Sequence, residues 1–176
     1  MNRFKQDALL SQTAQRLRVR GSWCGETHMQ KAVYFLQSLR RVPLGFTFVL
    51  YKHGPFSFDL RDELTSMVAD GFLELRAQWP YGPSLYPTDI SEELRRSFPR
   101  TLHKYEIDIE FVSEVLGDRN VNELEKLATA LYVYSEYAND SQQKRARILH
   151  QLKPHIPVQD ALDAVRQVEG LAQSSA

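Results

Sequence analysis

The stretch FTFVLYKHGPFSFDLRDELTSMVADGFLEL, residues 46–75, decides how this chain folds. Its first six residues alternate, with Phe46, Phe48 and Leu50 on one side and Thr47, Val49 and Tyr51 on the other, which is the period of a strand. Gly54-Pro55 breaks that run inside the polar turn Lys52-His53-Gly54-Pro55-Phe56-Ser57. Ser57 is placed to cap a helix over 58–70, and Asp59 in the first turn favours the positive helix end. Leu60, Leu64, Met67 and Val68 form the buried stripe, and Gly71 stands where a left-handed residue ends a helix. A strand over 72–79, the turn Pro80-Tyr81-Gly82-Pro83 and a returning strand over 84–88 then read as a hairpin.

On the N-terminal side, a helix is predicted over 4–18, with Phe4, Ala8, Leu9, Ala14 and Leu17 on its apolar face and Gly21 as its stop. After the loop Trp23-Cys24-Gly25, a second helix over 26–40 places Met29, Ala32, Val33, Leu36 and Leu39 on one buried face. On the C-terminal side, a short helix over 91–98 is set off by Pro99. Helices follow over 103–116, 121–137, 141–152 and 157–171, with a frayed end over 171–176. The fold class is α+β, mainly α. Residues 1–98 read as a winged helix-turn-helix-like core with a small β-hairpin. Residues 99–176 read as a helical extension packed on that core, giving one compact domain.

Bulk composition agrees with a core of this size: 176 residues, 43% hydrophobic. Acidic and basic residues balance at 22 each, so the overall positive field of many nucleic-acid binders is missing. One cysteine excludes an intramolecular disulfide and an all-cysteine metal site. No segment reaches the roughly 18 consecutive apolar residues of a membrane span. The first residues lack the apolar core of a secretory signal, so a cytoplasmic protein is expected.

Several residues are candidates for function. In the turn, Tyr51, Lys52, His53 and Phe56 can form a recognition loop, or the turn can be purely structural, with Phe56 stapling the helix and Ser57 capping it. The helix over 58–70 would be the groove-reading helix of a DNA-binding winged helix. Its solvent face carries Asp59, Asp62, Glu63 and Asp70 against Arg61, which opposes phosphate contact and suits a basic partner protein better, the plain alternative being a solvated face. Trp79 and Tyr81 at the hairpin tip either reach a partner or fold back on the core. Cys24 and His28, four residues apart, lack a third member for nucleophilic catalysis. The basic runs at 16–20, 40–41, 95–104 and 144–147 read as solvated helix faces or, if several converge in space, as a nucleic-acid surface away from the third helix, and the acid pairs Asp108/Glu110 and Glu123/Glu125 read as surface charge. No phosphate-cradling loop, nucleophile elbow or metal-ligand spacing is present. The sequence therefore predicts no catalytic residues, no metal and no cofactor.

Three segments together resemble a known family: Thr27-His28-Met29-Gln30-Lys31-Ala32-Val33-Tyr34-Phe35, Tyr51-Lys52-His53-Gly54-Pro55-Phe56-Ser57, and residues 60–73. In order and spacing they resemble the Panacea-like proteins, and more closely the bacterial YwgA-like family, over residues 29–88. Glu123-Leu124-Glu125-Lys126-Leu127 is the best further match. This chain has His53 where Panacea-like members more often have tyrosine, and His28-Met29 where Lys-Leu is more usual. The resemblance implies an antitoxin-like module that neutralises a partner protein, and it carries over no catalytic residue. The expectation is a non-enzymatic protein-interaction module or regulatory subunit of a bacterial system, with a DNA-binding winged-helix regulator as the alternative.

Overall fold

The computed structural model describes residues 1–174. The element order is α1 (Arg3–Val19), α2 (Glu26–Ser38), β1 (Val49–Tyr51), β2 (Gly54–Phe56), α3 (Phe58–Ala69), β3 (Leu73–Gln78), β4 (Tyr81–Pro87), α4 (Asp89–Ser97), α5 (Pro99–Leu116), α6 (Val121–Glu136), α7 (Gln142–Leu152) and α8 (Val158–Gln173). The class is α+β and mainly helical. The last two residues of the expected frayed end lie outside the described residues, while the helix itself continues through Gln173.

α2 sits at the centre, against α1, α3, α5 and α6. Its amphipathic pattern predicts one buried face, yet nine consecutive residues from His28 to Leu36 are buried. A helix enclosed all round must pair every polar group it carries inside. His28 Nε2 lies 2.6 Å from the Leu116 carbonyl at the end of α5. Gln30 clasps the Ser57 backbone in both directions, at 2.9 and 2.8 Å. Lys31 Nζ donates to the Pro55 carbonyl at 2.8 Å. Two polar side chains of one helix, Gln30 and Lys31, thus fix the segment that launches α3, while His28 ties the same helix to the end of α5.

The two hairpins are separate. β1 pairs antiparallel with β2, Val49 opposite Phe56 and Tyr51 opposite Gly54, and β3 pairs with β4. The strand expected over 46–51 is shortened to three residues, because the Gln37 side chain takes both backbone groups of Phe46 at 3.0 and 2.7 Å. An amide side chain there replaces a neighbouring strand. The chain after the turn is itself extended as β2, since Pro55 faces Leu50 in the ladder and sends its carbonyl to Lys31. Pro99 opens α5 as its first residue, a position that needs no N–H donor, so it begins a helix where a break is expected.

α3 follows its reading closely. Ser57 Oγ accepts from the Leu60 amide at 3.2 Å, Leu60, Leu64 and Met67 are buried, and Gly71 has φ +78°. α5 and α6 pack on α1 and α2, so the second half shares the core of the first. Phe4, expected on the buried face of α1, is 52% exposed. The position facing inward near it is Asp7, which is fully buried.

Asp7 sets a pH dependence. Neither oxygen has a hydrogen-bond partner, and Arg3 Nε stands 3.8 Å away while its guanidinium binds Glu63 at 2.9 Å and Asp70 at 2.7 Å. Burial first, and then the Glu63 carboxylate, push the Asp7 carboxyl up to about 7 from its ordinary 3.8. The folded protein therefore holds a proton that the unfolded chain releases near 3.8. The stability from this group is complete below that value and is lost as pH rises through about 7, by at most about 4 kcal/mol. Asp7→Asn should flatten the profile. Urea midpoints compared at acid and slightly alkaline pH should fall in the parent and hold steady in the variant, and parallel falls would refute the assignment.

Candidate functional site

The sequence-predicted residues divide into two neighbouring places joined by α3. The first is an aromatic triangle. Tyr51 on β1, Phe56 on β2 and Phe58 at the start of α3 put their ring centroids 5.2–5.7 Å apart in tilted and edge-on contacts. The rings are brought together by the tight β1–β2 register and by the Ser57 cap, which turns the chain so that residues 56 and 58 flank it. Tyr51 stays 48% exposed and Phe58 43% exposed, and Arg61 extends the cluster by lying 5.2 Å over the Phe58 ring. Phe58 does not stand out in the sequence as a site residue. Its signal was the density of aromatics at 51, 56 and 58, which the helical period of α3 disguises.

Beneath the turn lies a buried charge cluster. Glu125 on α6, read from sequence as surface charge, is only 4% exposed. Its Oε1 is 3.2 Å from Lys153 Nζ, an ion pair by distance with angles outside the hydrogen-bonding range. Lys153, from the loop after α7, also donates to the carbonyls of Tyr51, at 2.7 Å, and Lys52. The turn is therefore held from inside by two lysines, Lys31 and Lys153, with Glu125 as their counter-charge. Burial, partly offset by Glu125, pushes the Lys31 ammonium down to about 8. His155 Nε2 and His53 Nδ1 approach Glu125 Oε2 from the surface at 3.3 and 3.7 Å. Lys52 and His53 are exposed at this edge. Among the described residues no group of three metal-binding side chains is placed to hold an ion.

The second place is a groove of about 700 Å³. α3 supplies one wall through Leu64, Thr65 and Val68, and β3–β4 another through Leu75, Tyr81 and Pro83. The start of α2 and the loop into α6 complete it. Tyr81 stands 5.0 Å from Trp23 edge-on, and Trp23 Nε1 donates to the Gly82 carbonyl at 2.9 Å. The hairpin tip is thus pinned to the loop before α2 on the Tyr81 side, whereas Trp79 remains 93% exposed.

The acids of α3 are largely engaged. Arg3 holds Glu63 and Asp70, and Arg61 binds Asp62 at 3.1 Å, which leaves Asp59 without an ion-pair partner among the described residues. Part of the basic runs is engaged as well, while Arg41, Arg100, Lys104 and Arg147 have no ion-pair partner among the described residues. Arg16 and Arg20 bind Glu110, Arg40 binds Asp108, and Arg145 binds Glu169. Arg76, the base of the hairpin, pairs with Glu74 at 2.9 Å and lies 4.0 Å over Tyr86. These arginines tie helices and strands together, and Asp108 and Glu110 are inter-helix partners where lone surface charges are expected.

The Cys24–His28 pair does not form a nucleophilic site. Burial pushes the Cys24 thiol up to about 12, and its sulfur contacts the Ala14 carbonyl at 3.6 Å. His28 is spent on Leu116, and burial lowers its basicity. A thiol held protonated in an apolar interior is a poor nucleophile. No helix among the described residues is long and apolar enough to cross a membrane.

Neither a protein-family model nor a curated protein matches the chain.

Proposed function

We propose that this chain is a non-enzymatic protein-interaction module, antitoxin-like or a regulatory subunit of a bacterial toxin–antitoxin or phage-defence system. The observation that carries the reading is the aromatic triangle. Three aromatic rings, two of them substantially exposed, are held in fixed geometry by a buried clamp of Lys31, Lys153 and Glu125. Rigid exposed aromatics beside an arginine are the usual anchors of protein interfaces, because they bury much area at little entropy cost. The resemblance of residues 29–88 to Panacea-like and YwgA-like proteins supports the same reading. We take residues 1–98 as a winged-helix-like core and 99–176 as its helical extension. The order of α1, α2, α3 and the β3–β4 hairpin supports this, with β1 paired to β2 as a departure.

A DNA-binding regulator is the competing reading, and it draws on the same element order. It needs a cationic recognition face, and α3 offers Asp59 and Asp62 while Arg76 is already paired.

A photo-crosslinking residue placed at Tyr51, at Phe58 and, as control, at the exposed His103 of α5 separates the two readings in the native host. Discrete protein adducts from positions 51 and 58, and none from 103, are expected. Equal labelling at all three positions, or a low-salt mobility shift of the upstream DNA below about micromolar protein, would reverse the choice.

A further inference from the structure

The groove beside the triangle has a chemistry of its own, and it deepens the interaction reading on which it rests. Its walls are mostly apolar, and its volume of about 700 Å³ suits a short run of side chains better than a single water-filled crevice. Two arginines reach it from different elements: Arg61 from α3, in a solvent-exposed pair with its neighbour Asp62 at 3.1 Å that an incoming carboxylate can displace, and Arg119 from the loop between α5 and α6. Arg119 donates through Nε to the Val115 carbonyl at 2.6 Å and has no ion-pair partner among the described residues. The first turn of α2 also opens here behind Gly25, a cap position with no side-chain hydrogen bond, so its leading amides add positive potential. The acid in the lining, Glu26, sits in that same first turn against the helix end. Asn120 caps α6 and is committed to Glu123 through a reciprocal capping box.

From this charge pattern we infer that the groove docks an amphipathic, acidic segment of a partner protein. Its apolar side chains would lie against Leu64, Val68, Leu75 and Tyr81, and its carboxylates would meet Arg61 and Arg119. The segment would cross Arg61 onto the Phe58 ring, so groove and triangle form one continuous surface along α3. A basic segment would set its charges against both arginines. A wholly apolar one would leave Arg119 desolvated without an ion-pair partner.

The test is a panel of three labelled peptides about three helical turns long, identical at leucine and phenylalanine positions and differing only in whether the polar positions are glutamate, glutamine or lysine. Fluorescence anisotropy on the full chain should show the glutamate peptide binding about tenfold tighter than the glutamine one, with the lysine one weakest. In Arg61→Gln/Arg119→Gln the acidic advantage should shrink to within about threefold. Val121→Glu, at an exposed first-turn position of α6 where an acid suits the helix, should turn the preference toward the lysine peptide. Equal binding of all three peptides, a glutamate preference that survives the double arginine variant, or no binding up to about millimolar would each overturn the inference. Adducts at Tyr51 and Phe58 together with any of those results would remove the acidic segment while leaving the interaction module in place. An intact glutamate preference without adducts would do the reverse.

Discussion

Glu125→Gln is expected to destabilise the fold by about 3–5 kcal/mol at neutral pH, measured by urea unfolding. The side chain is buried on α6 and lies 3.2 Å from the equally buried Lys153 ammonium. Its charge also supports Lys31, whose ammonium is enclosed at the centre of the fold and is already driven down to about 8 by burial. Neutralising Glu125 leaves two interior cations facing each other without a counter-charge, the arrangement in which breaking a buried pair costs most. The loss should shrink with rising pH. Lys31 has a lowered folded value and an unfolded value of 10.5, so between about 8 and 10.5 the unfolded chain binds the extra proton and stability rises with pH. Removing Glu125 lets Lys31 lose its proton earlier, so the variant recovers part of its deficit in alkaline buffer. The double variant Glu125→Leu/Lys153→Met should be less unstable than Glu125→Gln, since it removes one of the two stranded cations and the repulsion it exerts on Lys31. A neutral-pH loss below about 1 kcal/mol, or a deficit that ignores pH, would show that Glu125 does not act as the counter-charge.

The same cluster marks where sequence reading stops. Local features were legible because their causes are local: Ser57 capping α3, the Leu60, Leu64 and Met67 stripe, the left-handed Gly71, and the hairpin around Trp79 to Pro83. The helical second half was legible from its spacing. Lys31, Glu125 and Lys153 were not, because each sits in a segment whose local pattern is that of an ordinary helix or loop. Their meaning depends on contacts between positions as far apart as Tyr51 and Lys153. Gln37 hid in the same way, since nothing near it says that its amide replaces a strand partner for Phe46. The candidate site was half visible. Tyr51 and Phe56 stand out in the sequence and do meet, but Phe58 and Arg61 join them only because β1 folds back on β2 instead of ending in an open turn. The acids of α3 looked free in sequence, whereas Arg3, from the far end of the chain's first helix, holds two of them.

Gly54→Ala is expected to cost about 2–4 kcal/mol and to loosen the aromatic triangle. Two causes add here, and they are separable. Gly54 has φ +82°, where any side chain strains the backbone. A Cβ at this position would also stand 2.9 Å from Thr129 Oγ1 and 3.5 Å from the Glu125 carbonyl, inside the seam between β2 and α6. Gly45 supplies the reference: its φ is +84°, and a Cβ there meets nothing within 4 Å. Gly45→Ala should therefore report backbone strain alone, about 1–2 kcal/mol, and Gly54→Ala should exceed it by the steric part. The Thr129 hydroxyl is buried without a hydrogen-bond partner, so Thr129→Ala removes the obstructing oxygen at little cost. Combined with Gly54→Ala it should restore about 1–2 kcal/mol, an interaction energy that a double-mutant cycle isolates. If Gly54→Ala proves no worse than Gly45→Ala, or Thr129→Ala fails to rescue it, the close approach of the turn to α6 is not what demands glycine. The functional consequence follows from the register. Gly54 faces Tyr51 across the β1–β2 ladder, so a turn pushed off Thr129 carries the Tyr51 ring away from Phe56 and Phe58. Photo-adducts from position 51 should then weaken in Gly54→Ala and return with Thr129→Ala, tying the glycine to the surface it presents.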